Sequence, residues 1–480
     1  MIPFGPFEPD RSIYAVEVST VVTNALPVRD GWGPKPSLVV FADALPAQCV
    51  GAVKVRTSTG AHRIFAGTTA GLYELESNFT WTDVSGASAP YAVPTGDRWQ
   101  FEVFGDYLVA VNLTDDPQYI AIDAGTQFAD LPGSPPKARY VWTAGEFLVL
   151  GHIADYPNRI QTSARGDAGA WTVGVDGADY QDFPDGEEIM GGIGAEKGAI
   201  IFQRTKIRQM VIAQVGDYSF QTAIINANRG VISPLSIAQI GPGRFFYYSA
   251  DGFFLGAEGT PIGAERVDRW FLEQLDTTYI GEVRAVADPF QKIVWVQAQG
   301  PTGAKFLIGY DWQLDRWCYG DSNVTEMVSL VTPGVSWDSL ADLYASIDEA
   351  DVPFDSALFA GGSPRFGAFD TSHRIGYYTG EAEAATIESA DIELAPGKRA
   401  FLREVTVDTD CTDYTLKVGT SDKFGGTRTW SSAITPFSAT GICHFRHPGK
   451  FHRLRLEMAA GATWNHVRGA RPDASGEGKR

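Results

Sequence analysis

Residues 137 to 172, KARYVWTAGEFLVLGHIADYPNRIQTSARGDAGAW, spell out one small sheet. ARYVWTA alternates apolar and polar residues as a half-buried strand does. Gly145 supplies a tight turn, and FLVLGHI follows as a strand apolar enough to be buried on both faces. Pro157 forbids a continued ladder in the loop DYPN. A more polar strand, RIQTS, comes next, and Trp171 closes the unit. The same order of strand, Gly or Asp turn, apolar strand and loop recurs at 52 to 75, 99 to 121, 196 to 212, 242 to 256 and 287 to 317. Short antiparallel strands repeated every ~40 to 50 residues suit a β-propeller, in which each blade is a four-stranded sheet. The expected fold is therefore all-β, a propeller of about six blades.

The surrounding texture divides the chain further. Residues 1 to 43 hold six prolines around a strand-like stretch, SIYAVEVSTVVTNALPV, and read as an extended arm. One strand of that arm is a candidate to complete the last blade and close the ring. Residues 44 to 380 form the expected propeller. Within it, Val267, Trp270, Phe271 and Leu275 fall on one helical face, which predicts a helix over 264 to 275. A second helix is expected at 336 to 347, in a decorated final blade. From 381 to 470 the strands shorten and respace as in a small β-sandwich. The polar end, 471 to 480, reads as a flexible tail.

Charge and motifs narrow the chemistry. The net charge of -19 argues against a protein whose main work is gripping nucleic acid. Cys49, Cys318, Cys411 and Cys443 share no metal spacing and read as buried thiols, with a pairing of Cys411 and Cys443 as the alternative. The N-terminus has no signal-peptide pattern, which predicts synthesis without an export address. No apolar run approaches the ~18 residues of a membrane span. HExxH, GxSxG, a Walker loop and a spaced Cys quartet are all missing. No metal or cofactor is expected: Cys443 and His444 point to opposite faces of one strand. The acidic run from 176 to 188 lacks the spacing of a calcium loop and reads as a solvated rim.

Two charged stretches supply candidate sites. Asp179, Asp182 and Asp185 lie in the acidic run, which contains no base. Arg446, Lys450, Arg453, Arg455 and Arg468 lie in a basic segment with a single acid, Glu457, and are candidate docking residues for an acidic partner.

The segments ATIESADIEL, RAFLREVTVDTD and GKFHRLRLEMAAGATWNHVRG resemble the closing domain of bacteriophage tail proteins. YPNRIQTSARGDAGAWT and GVISPLSIAQIGPGRFFYYSADGFF resemble the same group, the tail nozzle or packaged-DNA stabilisation proteins of short-tailed phages. The resemblance covers about half the chain, from 137 onward. It implies a structural, non-enzymatic subunit of a homo-oligomeric ring, a hexamer, in the virion tail. That ring would prolong the DNA channel, retain the genome and conduct it during ejection, with Asp179, Asp182 and Asp185 as candidate channel-lining acids. Implied partners are adaptor proteins, tail fibres or spikes, and viral duplex DNA passing without sequence-specific contact. The alternatives are a receptor-binding tail propeller and a sialidase-like, glycan-active propeller; for the latter, 71 to 86 offers one poor Asp-box match.

Overall fold

A computed structural model describes the chain apart from residues 13, 216 to 217, 323, 332 to 363 and 477 to 480. The described residues form seven four-stranded antiparallel sheets and a two-sheet sandwich. The innermost strands of blades 1 to 7 are Ala52–Arg56, Gln100–Phe104, Ala138–Ala144, Ile189–Ala195, Ala238–Gly241, Arg284–Asp288 and Val324–Val331. The fold is the expected propeller with a C-terminal β-sandwich, but with seven blades instead of about six. The helix expected at 336 to 347 lies outside the described residues.

The blades stick together because alternate residues of each strand face different neighbours. In Phe147–Ile153, Leu148 and Leu150 pack with Val109 and Val111 of blade 2. Phe147 and Val149 pack with Ile189, Ile201 and Phe220 of blade 4. A strand buried on both sides must be apolar except where a polar side chain finds a partner, and in FLVLGHI only His152 is polar, meeting Ile189 O at 3.0 Å. Gly145 turns the preceding hairpin at φ 57°, where a side chain is disfavoured. Gly151 and Gly192 make room instead, since a Cβ on either would overlap the ring of buried Trp142.

The seventh blade explains the difference in number. Its strands are Val324–Val331, Pro364–Asp370, Arg374–Ala382 and, outermost, Pro36–Ala44. Val39 and Val40 pair with Tyr377 and Gly376, so the N-terminal stretch closes the ring, as the arm's candidate strand was expected to do. Trp81 of blade 1 donates its indole N–H to Asp43 O at 3.0 Å, tying the first blade to the closing strand.

The rest of the arm is not a separate extended element. Ile2–Pro3, Ala25–Val28 and Gly31–Pro34 join one sandwich sheet with Val467–Gly476, Ala400–Thr409 and Ile442–Gly449. Val22–Thr23 joins the other sheet with Ala385–Glu388, Phe451–Met458, Tyr414–Ser421 and Thr429–Trp430. The two sheets share one core, including Leu402, Val405, Leu416, Leu454, Leu456 and Trp32. The expected flexible tail is also corrected. Residues 471 to 476 continue a strand paired with Ala400–Thr409, because backbone pairing orders a polar stretch without apolar anchors.

The helix expected over 264 to 275 is Asp268–Gln274. Val267, Phe271 and Leu275 are buried, whereas the Arg269 side chain is 70% exposed. Trp270 is only half-buried and meets Phe7 edge-on, with ring centroids 5.2 Å apart. Asp10 accepts from the N–H groups of Arg269 at 2.7 Å and Trp270 at 2.9 Å. The N-terminal stretch thus satisfies donors that the first helical turn leaves unpaired. All four cysteines are buried and free, so Cys411 and Cys443 do not form the alternative bridge.

Candidate functional site

Innermost strands converge on the propeller axis, where a cavity of about 770 Å³ opens among blades 1, 2, 5, 6 and 7. Each of four blades brings charge to it. Lys54 comes from Ala52–Arg56, and Arg98 immediately precedes Trp99 at the entry to blade 2. Arg284 opens the innermost strand of blade 6, and Glu326 lies in that of blade 7. Trp99 fixes the Arg98 backbone: its ring is buried, and its Nε1–H donates to Thr68 O at 2.9 Å.

Glu326 is buried and receives both guanidinium groups, Arg98 on Oε1 and Arg284 on Oε2. A carboxylate is acceptor-only, so two guanidinium groups suit its two oxygens. Arg284 also donates to Thr325 O at 3.3 Å, and Lys305 reaches the same oxygen at 3.5 Å. Lys54 donates to Leu330 O at 3.1 Å. Burial holds Arg284 and Lys305 below their ordinary ranges; Glu326 opposes the shift, while Arg98 adds to it at Arg284 and Arg284 adds to it at Lys305. Burial alone lowers Lys54. Arg98, Arg284 and Lys305 therefore share Glu326, and Glu282 acts on Arg284 and Lys305 at longer range. Both lysines commit a charged donor to a neutral carbonyl. Among the described residues, cations outnumber acids at this site, and an entering anion would relieve the strain on its cations.

None of these residues stood out in the sequence. The signal was present in another form: a charge flanked by apolar residues within a strand, as Lys54 in AVKVR, Arg284 in GEVRAVA and Glu326 in VTEMVSL. The structure places the singled-out acids elsewhere. Asp179, Asp182 and Asp185 occupy the outermost strand of blade 3, Tyr180–Asp182, and its flanks, on the rim and not at this axis. Asp182 pairs with Arg159 at 2.7 Å, and Asp185 with Lys206 at 2.8 Å and with Arg208. These pairings hold both carboxyls below their ordinary range. Asp179 is half-buried and accepts from Tyr180 N at 2.8 Å. The run that contains no base in sequence is supplied with bases from the neighbouring strands.

The basic segment is similarly partnered. Arg453 bridges Glu388 at 3.3 Å and Asp391 at 3.0 Å, and Arg455 pairs with Glu388 at 2.5 Å. Lys450 approaches Glu393 at 3.8 Å and lies over the Phe451 ring. Arg446 and Arg468 are exposed. Arg453 and Arg455 thus neutralise buried acids inside the sandwich domain, and the five residues do not make one cationic face. Among the described residues, no cluster of His, Cys, Asp or Glu is arranged to hold a metal ion.

No protein-family model and no curated protein matches the chain. Solved structures do. A puromycin hydrolase aligns at 13% identity and TM-score 0.35, over 69% of this chain and 60% of its own. A puromycin-hydrolyzing peptidase of Mycobacterium tuberculosis aligns at 12% and 0.37, over 81% and 61%. Hsv2 of Kluyvelomyces marxianus aligns at 9% and 0.30, over 57% and 84%. The matched part of the chain thus spans about three-fifths of the two hydrolases. Two of these neighbours are named as hydrolytic enzymes and none as a phage tail protein. That finding corrects two expectations, the genome-conducting phage tail subunit and the chain without enzymatic role. Neither is carried forward. Identities of 9 to 13% with TM-scores of 0.30 to 0.37 assign no activity to this chain. The phage resemblance itself, and the adaptors, fibres, duplex DNA and virion location it implies, rest on sequence motifs alone.

Proposed function

We propose that the propeller takes a multiply charged anion, carrying carboxylate or phosphate groups, in its axial cavity. One observation carries the reading: Arg98 and Arg284 converge on a single buried acid, Glu326, while Lys54 and Lys305 nearby donate, among the described residues, to carbonyl oxygens. Positive charge in a partly dehydrated funnel attracts anions more strongly than the same charge on an open surface. The whole chain's negative charge does not oppose this, because exposed charges more than about 8 Å away are screened at physiological salt. The bridging acid keeps the two guanidinium groups in place, which lowers the ordering cost of binding.

Isothermal titration with pyrophosphate and with citrate tests the proposal. Binding is expected for at least one of them and should weaken as salt rises. Lys54→Met, which leaves the Arg98–Glu326–Arg284 bridge intact, should weaken that binding by about tenfold or more, as removal of one charge-assisted hydrogen bond does. Absence of heat with both anions at millimolar concentration, or an unchanged affinity in the variant, would sink the reading.

A further inference from the structure

Charge covers only part of the axial cavity. Arg98, Arg284 and Glu326 lie at or near the starts of the innermost strands of blades 2, 6 and 7, and Lys54 supplies the remaining charge among the described lining residues. Further along, the lining turns apolar, with Phe101 of blade 2, Ile240 of blade 5 and Val286 of blade 6. All three are half-buried and so keep uncovered surface. Arg284 and Val286 are alternate residues of one strand, so their side chains leave the same face, about 7 Å apart along it.

The far end is apolar as well. Pro289 lies in the turn after Arg284–Asp288, and Trp312 in the turn after Lys305–Asp311. Both strands pair antiparallel with Ile293–Gln299, so the two turns fall at the same end of blade 6. Trp312 N donates to Lys292 O at 3.1 Å, which holds one turn against the other. From Arg284 to Pro289 the strand advances about 16 Å. The cavity therefore extends past its charges, and its volume of about 770 Å³ is that of a site for an organic ligand, not for a bare inorganic ion.

Given the anion reading above, we infer that the ligand is an amphiphilic anion, a phosphate or carboxylate head on a flat aromatic body of one or two rings. The head meets Arg98, Arg284 and Lys54, and the body lies along Phe101, Ile240 and Val286 in the direction of Trp312. Covering apolar surface in a concave site is favourable, and a few convergent charges then fix the orientation. Two features select rings over a flexible chain. Phe101 and Trp312 offer aromatic partners on the near and far parts of the wall, and rings pair through offset or edge-on contacts. A rigid body also loses less freedom on binding than a chain of rotatable bonds.

Isothermal titration with methyl phosphate, phenyl phosphate and 1-naphthyl phosphate tests this. At pH 8 and one salt concentration all three heads carry nearly the same charge, so only the body differs. Affinity should rise along the series, by about tenfold or more from methyl to naphthyl. Pyrophosphate or citrate should displace 1-naphthyl phosphate, and 1-naphthoate in place of the phosphate tells which head the charges prefer. Val286→Asn puts a polar group in the path of the body and leaves the charged residues in place. In that variant the gain from methyl to naphthyl should shrink to about threefold or less, and if it fails to fold the wild-type series still decides. Equal affinities along the series, with pyrophosphate or citrate still binding, overturn this inference alone. Binding of 1-naphthyl phosphate that Lys54→Met does not weaken also overturns it, since the head would then be unread. No heat from any of these anions overturns it together with the anion reading.

Discussion

Glu102 should make the propeller more stable in mild acid than above neutrality. It lies in Gln100–Phe104 and faces blade 3, where Thr143 Oγ1 donates to its Oε1 at 3.0 Å. Burial pushes its carboxyl from 4.5 up to about 7, and the hydrogen bonds from Thr143 offset only part of that. An acid whose folded pKa lies above its unfolded one holds its proton more tightly when folded. Its stabilising contribution is complete below pH 4.5 and is lost as the pH rises through 7. At about 1.4 kcal/mol per pH unit, the loss amounts to ~3 kcal/mol. Glu102→Gln keeps the shape and the acceptor for Thr143 but cannot ionise. The variant should match the wild type to within ~1 kcal/mol near pH 4 and exceed it by up to ~3 kcal/mol near pH 8. Urea unfolding followed by tryptophan fluorescence measures both. Asp268, also raised to about 7 by burial and by Asp10 and Asp251, contributes equally to both chains, so it cancels from the difference. A variant-minus-wild-type difference that does not change with pH would refute the reasoning.

Two further expectations follow from the packing. Asp391 is buried and joins Arg428 at 2.5 Å to Arg453 at 3.0 Å; burial favours its neutral form, but the two ion pairs prevail and hold its pKa down. Asp391→Asn strips the charge from beneath two guanidinium groups and should cost about 3 to 5 kcal/mol in urea unfolding, with under ~1 kcal/mol counting against the hub. Deleting residues 1 to 44 removes the closing strand of blade 7 and four strands of the sandwich. The shortened chain should show no cooperative thermal transition in calorimetry, and a retained sharp transition would mean that the ring closes without it.

The blades were legible where the pattern is local. FLVLGHI announces burial on both faces, and Leu148 and Val149 do pack against opposite neighbours. The seventh blade was harder to count because Val39 meets Tyr377, a pairing no window of adjacent residues contains. The arm's prolines suggested an extended element, yet Pro34 and Pro36 only mark where the chain leaves the sandwich and enters the ring. Charge misled for a related reason. Asp182 and Asp185 belong to an unbroken acidic run, but Arg159, Lys206 and Arg208 arrive from neighbouring strands. Arg453 and Arg455 belong to a basic run, and Glu388 and Asp391 meet them from across the sheet. In an antiparallel sheet the nearest charges are cross-strand neighbours as often as sequence neighbours, so a run of one sign need not become a patch of one sign. A ring reverses the weight given to isolated residues. Lys54, Arg98, Arg284 and Glu326 are each ordinary where they stand, but every innermost strand faces one axis, so single charges on separate blades meet there.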